Sequence, residues 1–224
     1  MRKRNVIIFD MDGTLLNTLD DIADSLNYSL TKCGYPVHAR DDIRKMIGGG
    51  ASILLERAAP KNLSDEERSK LLEVFIGLYF KNSNNKTDLY EGVRPLVTRL
   101  GEDGFRMGIV SNKGDKAVKE LSRFYFQDEM EFSLGERPDV TRKPAPDALY
   151  LAMDELGVTS EDCIYIGDSE VDAQFSQNAG IPCIIVTWGF RDREELIAAN
   201  PDVIVDTIEE LYNEIHRLGG SNRD

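Results

Sequence analysis

A chain of 224 residues is long enough for one large or two smaller domains with a full core, and its 41% hydrophobic content is ordinary for a globular protein. The formal net charge of −13 argues against nucleic acid or an anionic membrane as partner, because either needs a basic patch. Small anionic substrates stay open, since a local positive site can hold one inside a negative protein. No stretch approaches the roughly 20 apolar residues of a membrane span. The basic start, "MRKRNVIIF", meets Asp10 too soon for a signal peptide, so a cytoplasmic location is expected. Cys33, Cys163 and Cys183 are odd in number, far apart and set in apolar runs, which suits reduced core cysteines.

In chain order, the first predicted strand is "NVIIFD", Asn5 to Asp10, and it runs into Asp12, Gly13 and Thr14. Burying lone carboxylates costs several kcal/mol, so Asp10 and Asp12 need a partner, and a divalent cation would serve. From about Asn17 to Ser83 no convincing strand follows. Leu19, Ile22, Ala23, Leu26, Leu30 and Cys33 recur at helical spacing, with Thr18 and Asp21 as a candidate capping pair. Ser64 and Glu67 form a second candidate capping box ahead of Leu71, Leu72, Phe75, Leu78 and Tyr79. The polar "NSNNKTD", Asn82 to Asp88, reads as a linker returning to the core.

Strands and helices then alternate. "RMGIVS", "CIYIGD" and "CIIVTW" are short β-branched runs suited to parallel strands buried on both faces, with "EFSL" and "DVIVD" as weaker edge candidates. This alternation implies an α/β fold, a Rossmann-like open parallel sheet flanked by helices, whose ligand site lies at the carboxyl ends of the strands. An inserted all-helical cap domain over residues 17–83 would sit above that end, leaving 1–16 and 84–224 as the catalytic core.

The strand ends carry the chemistry. Asp10, Asp12, Gly13 and Thr14 close the first strand, Ser111 and Asn112 the second, and Gly167, Asp168, Ser169 and then Asp172 the fourth. Lys143, in "TRKPAPD", precedes a proline that can open a helix. A pocket of several carboxylates, a hydroxyl and an ammonium suits Mg²⁺, a hard cation that keeps waters and phosphate oxygens in its octahedron. Zinc fits less well, because neither His38 nor His216 lies near these motifs. Taken singly, each motif also has a bland reading: Asp12–Gly13 as a turn, Lys143 as a surface charge, Ser111 as a strand-end cap.

Together, "DMDGT" after a strand, serine ending the second strand, lysine before proline and "GDSEVD" resemble the four motifs of the haloacid dehalogenase-like hydrolases. The resemblance spans nearly the whole chain and implies a phosphomonoester hydrolase. Asp10 would be the nucleophile and Asp12 the proton carrier. Ser111 and Lys143 would bind the phosphoryl group, with backbone donors near Gly13 and Asn112. Mg²⁺ would be held by Asp10, Asp168 and the backbone carbonyl of Asp12, while Asp172, with Ser169 and Thr14, would act from behind, Asp172 orienting Lys143 or a metal-bound water. Asn17 stands where relatives often have aspartate, which touches the hinge into the cap and not the reacting atoms.

In the cap, "RKMIGGGASILLERA" places Gly48, Gly49 and Gly50 between two helical patterns. The glycines either give a small ligand access to backbone N–H groups or form a tight turn. With "VTWGFR", this segment is similar to phosphoglycolate phosphatases and their close relatives, so the expected substrate is a small phosphorylated metabolite, with Arg44 as a candidate carboxylate partner. The expected enzyme is a monomer or homodimer. A β-phosphoglucomutase-like phosphoryl transferase, a pyrophosphatase or another sugar-phosphate phosphatase would share the core motifs. A dehalogenase would need neither Asp12 nor Mg²⁺, and a non-catalytic relative would be expected to lack a core residue, yet none is missing.

Overall fold

The computed structural model describes residues 4–219; the basic start at residues 1–3 and the tail at 220–224 lie outside the described residues. In chain order it contains β1 (Val6–Phe9), β2 (Leu16–Asn17), α1 (Leu19–Lys32), α2 (Arg40–Met46), α3 (Gly50–Ala58), α4 (Asp65–Asn82), β3 (Asp88–Leu89), α5 (Val93–Glu102) and β4 (Arg106–Gly114). There follow α6 (Asp115–Phe126), β5 (Phe132–Glu136), α7 (Asp147–Leu156), β6 (Cys163–Gly167), α8 (Glu170–Ala179), β7 (Cys183–Val186), α9 (Arg193–Ala198), β8 (Val203–Val205) and α10 (Ile208–Gly219).

Among the described residues, six strands form one parallel sheet in the order β5-β4-β1-β6-β7-β8. Alternation along β1 shows why it is central: Ile7 and Phe9 enter one apolar layer, with α5, α6 and α10, and Val6 and Ile8 enter the other, with α7 and α8. All four are fully buried, so a one-residue slip of register would exchange the two layers' side chains. The strand order changes direction at β1, which opens a crevice at its carboxyl end. Both edge strands form where "EFSL" and "DVIVD" predicted them, the first displaced by one or two residues and the second shorter by one at each end.

Helices α1 to α4 close on an apolar cluster of their own, built from Leu26 and Leu30 of α1, Ile43 of α2, Leu54 of α3 and Phe75 of α4. Phe190, from the loop after β7, packs into the same cluster and joins it to the sheet. The Ser64–Glu67 capping box is present, whereas Thr18 and Asp21 do not cap α1. Asp21 has a different use. Its buried carboxylate accepts the N–H groups of Asn85, Lys86 and Thr87 and the Thr87 hydroxyl, clamping the returning segment. The two-residue antiparallel ribbon of β2 with β3, at the same junction, is too short to give a sequence period.

Pro144 does not open a helix, as its position suggested it could. It follows a cis peptide bond to Lys143, and α7 begins at Asp147 behind Pro146. Cys33, Cys163 and Cys183 are free thiols, the latter two buried. No described helix is long and apolar enough to cross a membrane.

Candidate active site

The parallel sheet brings the ends of β1, β4 and β6 to one crevice, and the Lys143 loop reaches the same place. Asp10 continues β1, its N–H donating to the Ile166 carbonyl at 2.8 Å, while its Oδ1 accepts from Met11 N–H at 2.7 Å. Lys143 lies beneath it with a side chain 2% exposed, its Nζ 3.1 Å from Asp10 Oδ1 and 2.8 Å from Asp172 Oδ1. Tyr165 in β6 fixes this pair from below: its hydroxyl donates to Asp172 at 2.9 Å and accepts from Lys143 at 3.0 Å. Burial opposes the Asp172 charge, but Lys143 and the hydroxyls of Ser169 and Tyr165 overcome it and hold this carboxyl below its ordinary range. For Asp10, burial wins over Lys143, with Asp172 and Asp12 adding repulsion, and its pKa rises to about 6.

Asp168, at the end of β6, is the least compensated charge. Its Oδ2 accepts from Phe190 N–H at 2.7 Å and the Thr14 hydroxyl reaches Oδ1 at 3.5 Å, but among the described residues no cationic side chain forms an ion pair with it. Burial, then Asp172 and Asp10, push its pKa well above the carboxylate range. The carboxylate sits between two glycines: a Cβ on either Gly13 or Gly189 would collide with it, and Gly13 also has φ +85°. Asp10, Asp168 and Asp172 offer oxygens within 4.8 Å of one another. The Asp172 oxygens are taken up by Lys143, Tyr165, Ser169 and Asp168 N–H, so Asp10 and Asp168 are the carboxylates open to a cation. A buried, oxygen-only and undercompensated pair fits a hard divalent ion.

Asp12 turns its side chain away from that cluster. Both of its oxygens accept from Lys113 Nζ, at 2.8 and 3.1 Å, and Lys113 also donates to the hydroxyl of Tyr79 on α4. Burial opposes the Lys113 charge, yet Asp12 and Tyr79 outweigh it and raise its pKa. Sequence reasoning passed over Lys113. The signal was present: Ser111 and Lys113 are two residues apart on a strand and so face the same side.

Other expected roles are relocated. The Gly13 N–H is spent on the Leu16 carbonyl at 2.9 Å and is not a free donor for phosphate. Asn112 acts through its side chain, which accepts from Lys143 N–H at 2.9 Å and donates to the carbonyls of Lys143 and Gly48. Gly48 and Gly50 line the crevice, whereas Gly49 does not: a Cβ there would meet Ile53 of its own helix. Arg44 is also out of reach, because its guanidinium donates to the Phe190 carbonyl at 2.6 Å and to Asp192 at 2.7 Å. Arg191, which the sequence did not single out, reaches the other way, pairing with Glu170 and donating to the Ile47 carbonyl at 2.7 Å.

The haloacid dehalogenase-like hydrolase family model matches residues 7–186, from β1 through β7 and therefore through every strand end just described. The chain belongs to that family. Among curated relatives of this hydrolase, the phosphoglycolate phosphatase of Vibrio parahaemolyticus is 32% identical over 217 residues, spanning 92% of this chain and 93% of its own. That of Pseudomonas savastanoi pv. phaseolicola is 29% identical, spanning 92% of this chain and 78% of its own. A solved structure of a candidate phosphoglycolate phosphatase from Lactobacillus delbrueckii subsp. bulgaricus superposes with a TM-score of 0.89 at 34% identity, covering 95% of this chain and 98% of that one.

Proposed function

We propose that this hydrolase cleaves a small phosphomonoester, 2-phosphoglycolate, through an aspartyl-phosphate on Asp10, with Mg²⁺ as cofactor. The observation that carries the reading is a carboxylate at the end of the central strand, ion-paired with the buried Lys143 and followed two residues later by a second carboxylate. The names of the relatives supply the substrate class. Asp10, Asp168 and the Asp12 carbonyl would hold the ion. When bound, Mg²⁺ neutralises charge on the transferring phosphoryl group and relieves its repulsion from Asp10.

The residues of the chain divide the remaining work. Lys143 and Ser111 hold the phosphoryl oxygens, and Asp172 and Tyr165 keep the Lys143 ammonium in place. A carboxylate oxygen of Asp10 attacks phosphorus as the ester P–O bond breaks, and Asp12 gives its proton to the leaving alkoxide. Asp12 then takes a proton from water, whose oxygen attacks the same phosphorus and breaks the bond to Asp10, releasing inorganic phosphate. Residues 17–83 act as a cap that excludes bulk water, docked through Asn112–Gly48 and Arg191–Ile47.

The test is phosphate release by the purified chain with Mg²⁺ from a panel of phosphorylated metabolites. The reading predicts 2-phosphoglycolate among the best substrates and loss of release with EDTA. Preferred turnover of a hexose phosphate without phosphate release would contradict it.

A further inference from the structure

Beyond the phosphoryl site, the crevice continues as a cavity of about 70 Å³ between the sheet and α1, α3 and α4. Its walls are largely apolar, with Ile22, Leu54 and Phe75 among them. Among the described residues that line it, Lys113 is the one cation, and its side chain is 3% exposed. The two nearby arginines are engaged elsewhere: Arg44 by Phe190 and Asp192, Arg191 by Glu170 and Ile47. A buried ammonium in an apolar chamber is costly unless an anion meets it. Without substrate that anion is Asp12.

We propose that Lys113 is the specificity-determining residue of this hydrolase, pairing with a carboxylate carried on the carbon next to the ester oxygen of the substrate. This rests on the phosphomonoesterase reading and deepens it by naming what recognises the organic end. An ammonium has three N–H donors, and these go to the two Asp12 oxygens and the Tyr79 hydroxyl, so a substrate carboxylate would take over one of the two contacts now made to Asp12. In the proposed reaction the Asp12 side chain turns to the leaving oxygen, and a substrate carboxylate would meet the Lys113 ammonium in its stead.

Position sets the length of acid that fits. Lys113 Nζ is 2.8 Å from the Asp12 carboxylate, and Asp12 must come within about 3 Å of the ester oxygen to protonate it. The ammonium and the ester oxygen therefore share a neighbour and lie within about 6 Å of each other. A carboxylate one carbon from the ester oxygen meets the ammonium inside that span, and its single methylene is covered by the apolar wall. Longer phosphorylated acids would have to fit the same chamber of about 70 Å³, walled by Leu54 and Phe75. Tyr79, stacked on Phe75, holds the ammonium from the cap side, so recognition requires the cap in place.

The experiment compares Lys113→Met with the unmodified enzyme on 2-phosphoglycolate and on 2-hydroxyethyl phosphate, which replaces the carboxylate with a neutral CH₂OH group. Both esters release primary alkoxides, so damage acting through Asp12 is common to both and cancels in the ratio of kcat/KM values. Loss of a charge-assisted pair predicts that this ratio falls by about 10²-fold, mainly through KM for 2-phosphoglycolate. Lys113→Arg, which keeps the charge, should retain part of the preference, and this second variant serves if the methionine variant is unstable. Equal losses on both esters would make Lys113 a structural or phosphoryl-binding residue and overturn the proposal while leaving the phosphatase reading intact. If the unmodified enzyme hydrolyses neither ester with Mg²⁺, the phosphatase reading itself falls, and this proposal with it.

Discussion

The site holds two buried lysines in opposite electrostatic settings. Lys143 sits on the sheet side between Asp10 and Asp172, with Asp168 nearby and unpaired, so the phosphoryl end has more carboxylate than cation. Lys113 sits on the side of the proposed cap, against Asp12 and a neutral phenol, a balanced set with no spare charge. A surplus of buried carboxylate asks for a metal ion, whereas a balanced pair must exchange one partner for another when a charged ligand arrives. On the proposed reading the first region would hold the group common to all phosphate esters, and the second would meet what distinguishes one from another.

The harshest way to break that comparison is to remove the nucleophile. Asp10→Asn keeps the shape and the Lys143 pocket but takes away the proposed attacking charge and metal ligand, so turnover should fall by at least about 10⁴-fold with folding retained. Circular dichroism and phosphate release check both halves. Asp12→Ala should cost about 10²–10⁴-fold for alkyl esters, because it removes the proton carrier, and much less for aryl phosphates, whose leaving groups need no proton. Equal losses on the two ester types would remove Asp12 from proton transfer.

The surplus of carboxylate makes a thermodynamic prediction. Asp10 rises to about 6 in the fold and burial raises Asp168 well above its ordinary value, while both ionise near 4 in an unfolded chain. The folded state then binds more protons than the unfolded state, so stability of the metal-free chain falls as pH rises through about 6. Mg²⁺ held by the ionised pair, as proposed, would reverse this, so the rise in Tm caused by Mg²⁺ over EDTA should be larger at pH 8 than at pH 5. A shift that is the same at both values would mean that the cluster is not where the ion binds.

A smaller effect belongs to the junction. Asp21→Ala leaves the N–H groups of Asn85, Lys86 and Thr87 without their acceptor, at a cost of about 1–3 kcal/mol. Thermal unfolding should register it, with kcat changed less than in the Asp12 variant. Gly50→Ala sharpens the cap side: at φ +81°, a Cβ lies 2.7 Å from Glu136 Oε2 and 2.9 Å from the Asn112 carbonyl. The loop would then dock poorly, raising KM for 2-phosphoglycolate with little loss of Mg²⁺ affinity.

The difference between the two regions also explains what the sequence revealed. Residues of the phosphoryl end lie at or, for Ser111, three residues before the carboxyl ends of apolar strands, where backbone direction carries Asp10, Ser111 and Asp168 to one crevice, so strand patterning could point to them. The cap side is assembled through space. Tyr79 looks like one more apolar position of α4, Arg44 and Arg191 differ only in which carbonyls lie nearby, and no period in the sequence marks Gly48 and Gly50 as lining and Gly49 as packing on Ile53. Asp21 shows the same limit: its spacing from Thr18 suggested a cap, but its partners lie more than sixty residues away.

The proposed mechanism requires Asp10 as the phosphoryl acceptor. The most direct measurement is rapid acid quenching of the enzyme during turnover of 2-phosphoglycolate with Mg²⁺, followed by mass spectrometry of the peptide containing Val6 to Thr14. The expected result is a gain of one phosphoryl group, acid-stable and hydroxylamine-labile, on Asp10. Continued turnover with that peptide unmodified at every quench time, or with the phosphoryl group on another residue, would contradict it.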